Sequence, residues 1–204
     1  MRDKFEEFST SRHSRRFQLW DYTQPAVFFV TVCAFNHRKY FGRVRNQSAI
    51  LNWMGQIVEE EWHRTEKLRP DVQLDSFVVM PNHVPGIVVI TPSEFESPVT
   101  PRGYNLRVSE GVTCRRSDMA RHVATEVPKR KFASPQAGSL GTIIGAYKGA
   151  VSRRVNRIRR STHPPVWQKN FFDRILRNEH EWRAAREYIE RNPAQWTEDT
   201  LSRR

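Results

Sequence analysis

Residues 78–90 limit the fold more than any other stretch of the chain, because two short apolar runs rich in valine and isoleucine flank Pro81, Asn82 and His83. Runs of this length, bounded by turn residues, are typical of buried strands. The stretch therefore predicts two strands joined by a tight turn, with His83 at the exit of the turn. A rigid sheet can present such a histidine to a metal, although a single strand histidine is more often a packed or surface residue.

The N-terminal half predicts a strand, a helix and a pair of strands in that order. Residues 26–34 are dense in β-forming side chains and indicate a central strand. Ser48 is placed to cap a helix, since apolar residues then recur at intervals of three and four as far as Thr65. Further strands are expected at 72–80 and 84–90.

The C-terminal half predicts two more helices and one more strand. A helix is expected over 139–160, where an apolar stripe recurs with helical spacing. Residues 166–176 are rich in aromatic side chains and indicate a final strand or aromatic segment. Asn178 is placed to cap a last helix, and Pro193 ends it. Together these elements predict one mixed α/β (α+β) domain.

Charge indicates a polyanionic partner. The chain has 34 lysines and arginines against 22 acidic residues, which gives a formal charge of +12 and a pI near 10.4. Guanidinium groups pair with phosphates and stack on bases, so a nucleic acid is a better candidate than an acidic protein. A basic surface that only keeps the protein soluble is the alternative.

The helix expected at 139–160 combines an apolar stripe with a strongly cationic remainder. The charged residues of this helix are almost all positive, and the basic ones lack acidic partners one turn away. This favours contact with a DNA backbone over a merely solvated face. The candidate DNA-binding residues on this helix are Lys148, Arg153, Arg154, Arg157, Arg159 and Arg160.

Three segments predict little regular structure. Residues 1–20 are expected to form a mobile basic arm that lies along a phosphate backbone, and residues 197–204 a C-terminal tail. Residues 91–137 are rich in proline without sustained apolar periodicity, which predicts a long, mostly disordered insertion. The candidate DNA-binding residues of the arm are Arg12, Arg15 and Arg16.

The two cysteines, Cys33 and Cys114, indicate free thiols in a reducing compartment rather than a disulfide framework. The N-terminus is charged, and no apolar run is long enough to cross a bilayer. We therefore expect a cytoplasmic protein that does not act at a membrane.

On the last helix, Tyr188 and Asn192 are four residues apart, so a phenol and an amide lie one turn from each other. A helical tyrosine is more often a core or interface residue than a nucleophile. The spacing alone leaves both interpretations open.

Several motifs in a fixed order closely resemble the HUH single-tyrosine transposases, and most of all their REP-associated branch. Residues 21–33 and 139–148 are similar to the same family, so the likeness covers most of residues 21–196 outside the 91–137 insertion. The motifs are Val79-Met80-Pro81-Asn82-His83-Val84, Val166-Trp167-Gln168, Phe171-Phe172-Asp173, Arg177-Asn178-Glu179 and Glu187-Tyr188-Ile189-Glu190-Arg191-Asn192-Pro193.

The resemblance implies a ferredoxin-like antiparallel sheet with helices packed on one face. It also implies an enzyme that binds a DNA hairpin and cuts an adjacent single strand. Tyr188 would be the nucleophile that forms a 5′-phosphotyrosine link, and His83 and Asn192 would be ligands of Mg²⁺ or Mn²⁺. A homodimer is one option for the oligomeric state.

Two positions depart from the family pattern. Pro85 stands where the family has a second histidine two residues after the first, and Arg174 stands where relatives frequently carry histidine. We therefore expect a weakened metal site and reduced cleavage. One alternative is a descendant that binds hairpin DNA without cutting it. Another is an RNA-binding ferredoxin-like module that stacks bases on Phe28 or Phe29.

Overall fold

The computed structural model describes residues 24–91 and 138–196. These residues form a four-stranded antiparallel sheet, a separate two-stranded ribbon and three α-helices. The basic arm with Arg12, Arg15 and Arg16, residues 92–137 of the expected insertion and the tail from residue 197 lie outside the described residues.

The main sheet has the strand order β4-β5-β1-β6, and all its pairings are antiparallel. Without the ribbon, the chain order is β-α-β-β-α-β, which is the ferredoxin-like arrangement, followed by α3. This confirms the expected α+β class. The elements are β1 Ala26–Cys33, β2 Gly42–Arg45, β3 Ser48–Leu51, α1 Trp53–Lys67, β4 Val72–Phe77, β5 His83–Ile90, α2 Leu140–Arg159, β6 Phe172–Leu176 and α3 Glu179–Arg191.

Helices α1 and α2 cover one face of this sheet. Trp62 of α1 is 1% exposed and stacks on Phe77 with ring centroids 5.6 Å apart, and its edge meets the Tyr147 ring of α2 at 5.1 Å. Phe28 and Val30 of β1 belong to the same buried cluster. Within the described residues, no helix has the length and apolar character needed to cross a membrane.

Helix α3 lies on the other face, so the expectation that the helices share one face is wrong for α3. Its Tyr188 ring is 5.8 Å from the ring of Phe29, which points away from its neighbour Phe28 because adjacent strand residues face opposite sides. The exposed fraction is 0% for Phe28 and 2% for Phe29. Since both rings are buried, neither is exposed for stacking on an RNA base, so the expected role of Phe28 or Phe29 in stacking is wrong.

The ribbon replaces the expected start of the first helix. Ser48 lies in β3, and the helix is capped by Asn52, whose side-chain oxygen accepts hydrogen bonds from the backbone N–H groups of Met54 and Gly55 at 2.9 and 3.0 Å. Asn46 and Gln47 join β2 to β3 with φ of 51° and 59°. Two positive φ angles are typical of the two-residue turn that closes a hairpin.

We expect Gly86→Ala to lower the free energy of unfolding by about 1–3 kcal/mol, because the new methyl group overpacks the core. A Cβ at Gly86 would lie 2.5 Å from Cζ2 of the buried Trp62. Urea unfolding followed by circular dichroism measures the change.

The matched control is Gly145→Ala on the exposed side of α2, where a Cβ meets nothing within 4 Å. Alanine is the better helix former, so this variant should be more stable by up to about 1 kcal/mol. Equal effects at the two glycines would contradict the packing described for Trp62.

Candidate active site and cationic surfaces

His83 is the first residue of β5 and pairs with Cys33 of β1. Its Nδ1 lies 2.8 Å from Oδ1 of Asn82. The amide nitrogen of Asn82 donates a hydrogen bond of 3.1 Å to the carbonyl oxygen of His37, which orients the amide oxygen towards the imidazole. His83 Nδ1 must therefore carry the proton, and Nε2 carries the lone pair.

The imidazole of His83 is sealed from solvent. It is 0% exposed and stacks on Trp196, with ring centroids 6.1 Å apart and an interplanar angle of 22°. The pKa of His83 is lowered to about 3, mainly by burial and partly by the nearby His37, while a hydrogen bond with the Asn192 side chain acts in the opposite direction. His83 is therefore neutral near pH 7.

Tyr188 lies on the same face of the sheet as His83. Phe29, which the Tyr188 ring contacts, and Cys33, which pairs with His83, are both odd-numbered residues of β1 and share a face. Tyr188 is half-buried, and Asn192 follows it by one helical turn at the C-cap of α3. Asn192 is 3% exposed, and its side chain lies close enough to the imidazole to affect the pKa of His83.

The described residues do not fit the divalent cation that the resemblance implies. His83 and Asn192 are neutral donors, and no group of three histidine, cysteine or acidic side chains converges anywhere in 24–91 and 138–196. Mg²⁺ and Mn²⁺ prefer several oxygen ligands, usually with carboxylates among them. Pro85 offers no side-chain donor, and Arg174 brings a positive charge, 3.5 Å from the Glu181 carboxylate.

Three of the six cationic residues expected to bind DNA through α2 are engaged within the protein. Lys148 Nζ donates to the carbonyl oxygens of residues 168, 169 and 170 at 2.6, 3.3 and 3.2 Å, and burial lowers its pKa. Arg154 pairs with Glu60 and the buried Glu61 of α1 at 2.6 and 2.9 Å. Arg159 donates hydrogen bonds of 2.7 Å to a backbone carbonyl and to a side-chain amide oxygen.

The other three, Arg153, Arg157 and Arg160, are exposed. Arg153 and Arg157 are one turn apart on α2 and share a face, and Arg160 follows as the left-handed C-cap of the helix; we call the three the α2 arginine stripe. Among the described residues, none of them forms an ion pair. The stripe belongs to the helix layer on the side of the sheet opposite Tyr188.

Sequence reasoning missed the residues that enclose His83. The sequence indicates a turn at Asn82, and it gives no signal that Trp196 or His37 lies near His83. Asn82 and His37 are 45 positions apart, and a single sequence has no local pattern that predicts such a contact. The only signal was indirect, because a buried strand histidine requires polar partners.

Comparisons with known proteins found relatives but no matching family model. The chain is 28% identical over 201 residues to an uncharacterized protein of Haemophilus influenzae Rd, and the alignment covers 98% of each chain. It is similar to the structure of a REP-associated tyrosine transposase bound to a REP hairpin, with 15% identity, a TM-score of 0.49 and coverage of 83% of this chain and 67% of the other. A protein regarded as a transposase of Deinococcus radiodurans R1 is similar with 12% identity, a TM-score of 0.42 and coverage of 82% and 90%.

The buried neutral state of His83 predicts a pH dependence of stability. Below about pH 6.5 the unfolded chain binds a proton at this histidine, whereas the folded chain binds it only near pH 3. The free energy of unfolding should therefore fall as the pH falls through this window, with a His83 contribution of about 2 kcal/mol between about pH 7 and pH 5. Urea unfolding at the two pH values measures it.

The variant His83→Gln should show a smaller difference between the two pH values than the wild type. His63→Gln is the control, since His63 is exposed, and should behave like the wild type. If His83→Gln had the same pH dependence as the wild type, the buried neutral imidazole would be refuted.

Proposed function

We propose that this protein binds DNA, as a hairpin with an adjacent single strand, and does not cut it. The observation that carries the proposal is the α2 arginine stripe. Arg153, Arg157 and Arg160 present three guanidinium groups to solvent on a chain with a formal charge of +12. Unpaired guanidinium groups in a row favour phosphate contacts, because each contact releases condensed counterions. The preference for a hairpin follows from the motif resemblance.

The surroundings of His83 support the proposed absence of cutting. A phenol has a pKa of about 10 and is a poor nucleophile near neutral pH unless a base or a cation activates it. His83 is buried beneath Trp196, and its Nδ1 is hydrogen-bonded to Asn82. An imidazole held in this way does not reach a phosphate beside Tyr188.

Strand cleavage through Tyr188 is the second candidate function. One observation favours it: Tyr188 is half-exposed on the same face as His83, and Asn192 follows it by one helical turn. In that reaction the phenolic oxygen would attack the phosphorus and lose its proton. The bond from phosphorus to the 3′ oxygen would break, leaving a 5′-phosphotyrosine and a free 3′-hydroxyl.

Replacing the three stripe arginines with alanine should weaken hairpin binding and reduce its salt dependence. Each lost phosphate contact should lower the slope of log K against log salt by about one. Fluorescence anisotropy with a labelled hairpin at several salt concentrations measures both quantities. Thermal unfolding should be unchanged, because the three side chains are exposed.

The matched control is Arg154→Ala on the same helix. Arg154 is occupied by Glu60 and Glu61, so its loss should lower stability and leave the salt slope unchanged. If Arg154→Ala lowered the salt slope by as much as the triple variant does for each arginine removed, the stripe would not be the contact surface.

Incubation with labelled hairpin DNA and Mn²⁺ should give no covalent adduct on a denaturing gel. An adduct that disappears in Tyr188→Phe would refute the non-cutting proposal and establish the second candidate.

Pro85→His adds an imidazole two residues after His83 on the same strand face. An adduct only in this variant would identify residue 85 as the missing ligand position.

A further inference from the structure

The segment from residue 22 to residue 58 contains no aspartate or glutamate, and its only charged side chains are basic. This is unusual in a chain where 27% of residues are charged. In the structure the segment includes β1, the ribbon and the first residues of α1. Its four cations are Arg38, Lys39, Arg43 and Arg45.

One face of the β2–β3 ribbon is exposed and mixes cations with apolar surface. Arg43 pairs with Ile50 across the ribbon, and Arg45 pairs with Ser48, so these four side chains share a face. All four are exposed, Ile50 to 42%. Trp53, three residues after Ile50, is 44% exposed. Only two other large hydrophobic side chains in the described part of the chain are as exposed as these.

No acidic side chain of the described residues neutralises the ribbon arginines. Within 24–91 and 138–196, Arg43 and Arg45 take part in no ion pair. They are two residues apart on one strand, so their Cα atoms are separated by roughly 6.6 Å. Two guanidinium groups in such a row suit two phosphates of one nucleic acid strand.

The base of the ribbon is fixed to the core. Phe41 is 0% exposed, its ring is 4.9 Å from that of Trp167, and its backbone N–H donates to the carbonyl oxygen of Pro81 at 2.9 Å. Asn52 closes the other strand, donating from its backbone N–H to the carbonyl oxygen of Phe41 at 3.1 Å. A surface held in place loses little conformational entropy when it binds a ligand.

The ribbon begins next to the His83 site. Lys39 Nζ lies 5.8 Å from the centre of the Trp196 ring, which in turn stacks on His83. Lys39, three residues before β2, therefore lies beside the ring that covers His83.

We propose that the exposed face of the β2–β3 ribbon binds single-stranded DNA. Arg43 and Arg45 pair with consecutive phosphates, and Ile50 and Trp53 offer apolar surface for an unpaired base. The exposed apolar side chains favour single-stranded over double-stranded DNA. Bases in a duplex are already stacked on each other, whereas an unpaired base gains free energy by stacking on an aromatic side chain. This inference rests on the proposed function and assigns the single strand beside the hairpin to a surface of its own.

The test compares two labelled hairpins by fluorescence anisotropy, one blunt and one with a single-stranded tail. The wild type should bind the tailed hairpin more tightly. In Arg43→Ala/Arg45→Ala the advantage of the tail should fall roughly tenfold, and the salt slope for the tailed hairpin should fall by about 1.4, or about 0.7 for each lost contact with a single strand. Affinity for the blunt hairpin should be unchanged. Trp53→Ala should reduce the advantage of the tail without changing the slope.

The control is Arg64→Ala/Lys67→Ala, which removes two cations from the end of α1, about 20 Å along the helix from Trp53. It should retain the advantage of the tail. If the wild type binds neither hairpin, the proposed function fails and this inference with it. If the wild type prefers the tailed hairpin and the ribbon variant keeps that preference, only the ribbon assignment is overturned.

Discussion

The central pair of strands, β1 and β5, is apolar on both faces, and the rest of the structure follows from that constraint. Phe28 and Phe29 are adjacent in β1 and point to opposite sides, yet both are almost fully buried. One helix layer could cover only one of them. Helices α1 and α2 cover the side of Phe28, so α3 must lie across the side of Phe29, where it places Tyr188 over that ring.

The same burial decides the chemistry of the candidate site. The chain that ends α3 brings Asn192 and Trp196 onto His83, and this cover excludes water from the imidazole. Exclusion of water holds His83 in its neutral form, the form that can bind a metal. It also keeps the imidazole out of contact with solvent. The cover that stabilises this face of the sheet thus withdraws His83 from the chemistry that its sequence motif implies.

The sheet could be predicted from the sequence because its signals are local. Apolar runs define β1 and β5 directly, and Asn178 and Pro193 mark the ends of α3. The ribbon was missed because Ser48 and Asn52 are both good helix caps, and only the turn at residues 46–47 distinguishes them.

The ion pairs of Arg154 with α1 were missed for a different reason. Its acidic partners come from α1 and not from its own helix, so helical spacing could not reveal them.

Both departures from the family motif fall on the face that carries Tyr188. Pro85 pairs with Thr31, and Arg174 pairs with Phe29, so both residues lie on the same side of the sheet as His83. At these two positions the resemblance implies histidines. This chain instead has Pro85, whose side chain offers no metal ligand, and Arg174, whose side chain is 40% exposed. A guanidinium attracts a phosphate but, unlike a metal ion, does not bind a leaving oxygen as a Lewis acid. Under the proposed function, the two replacements favour binding of a phosphate over cleavage of its ester bond.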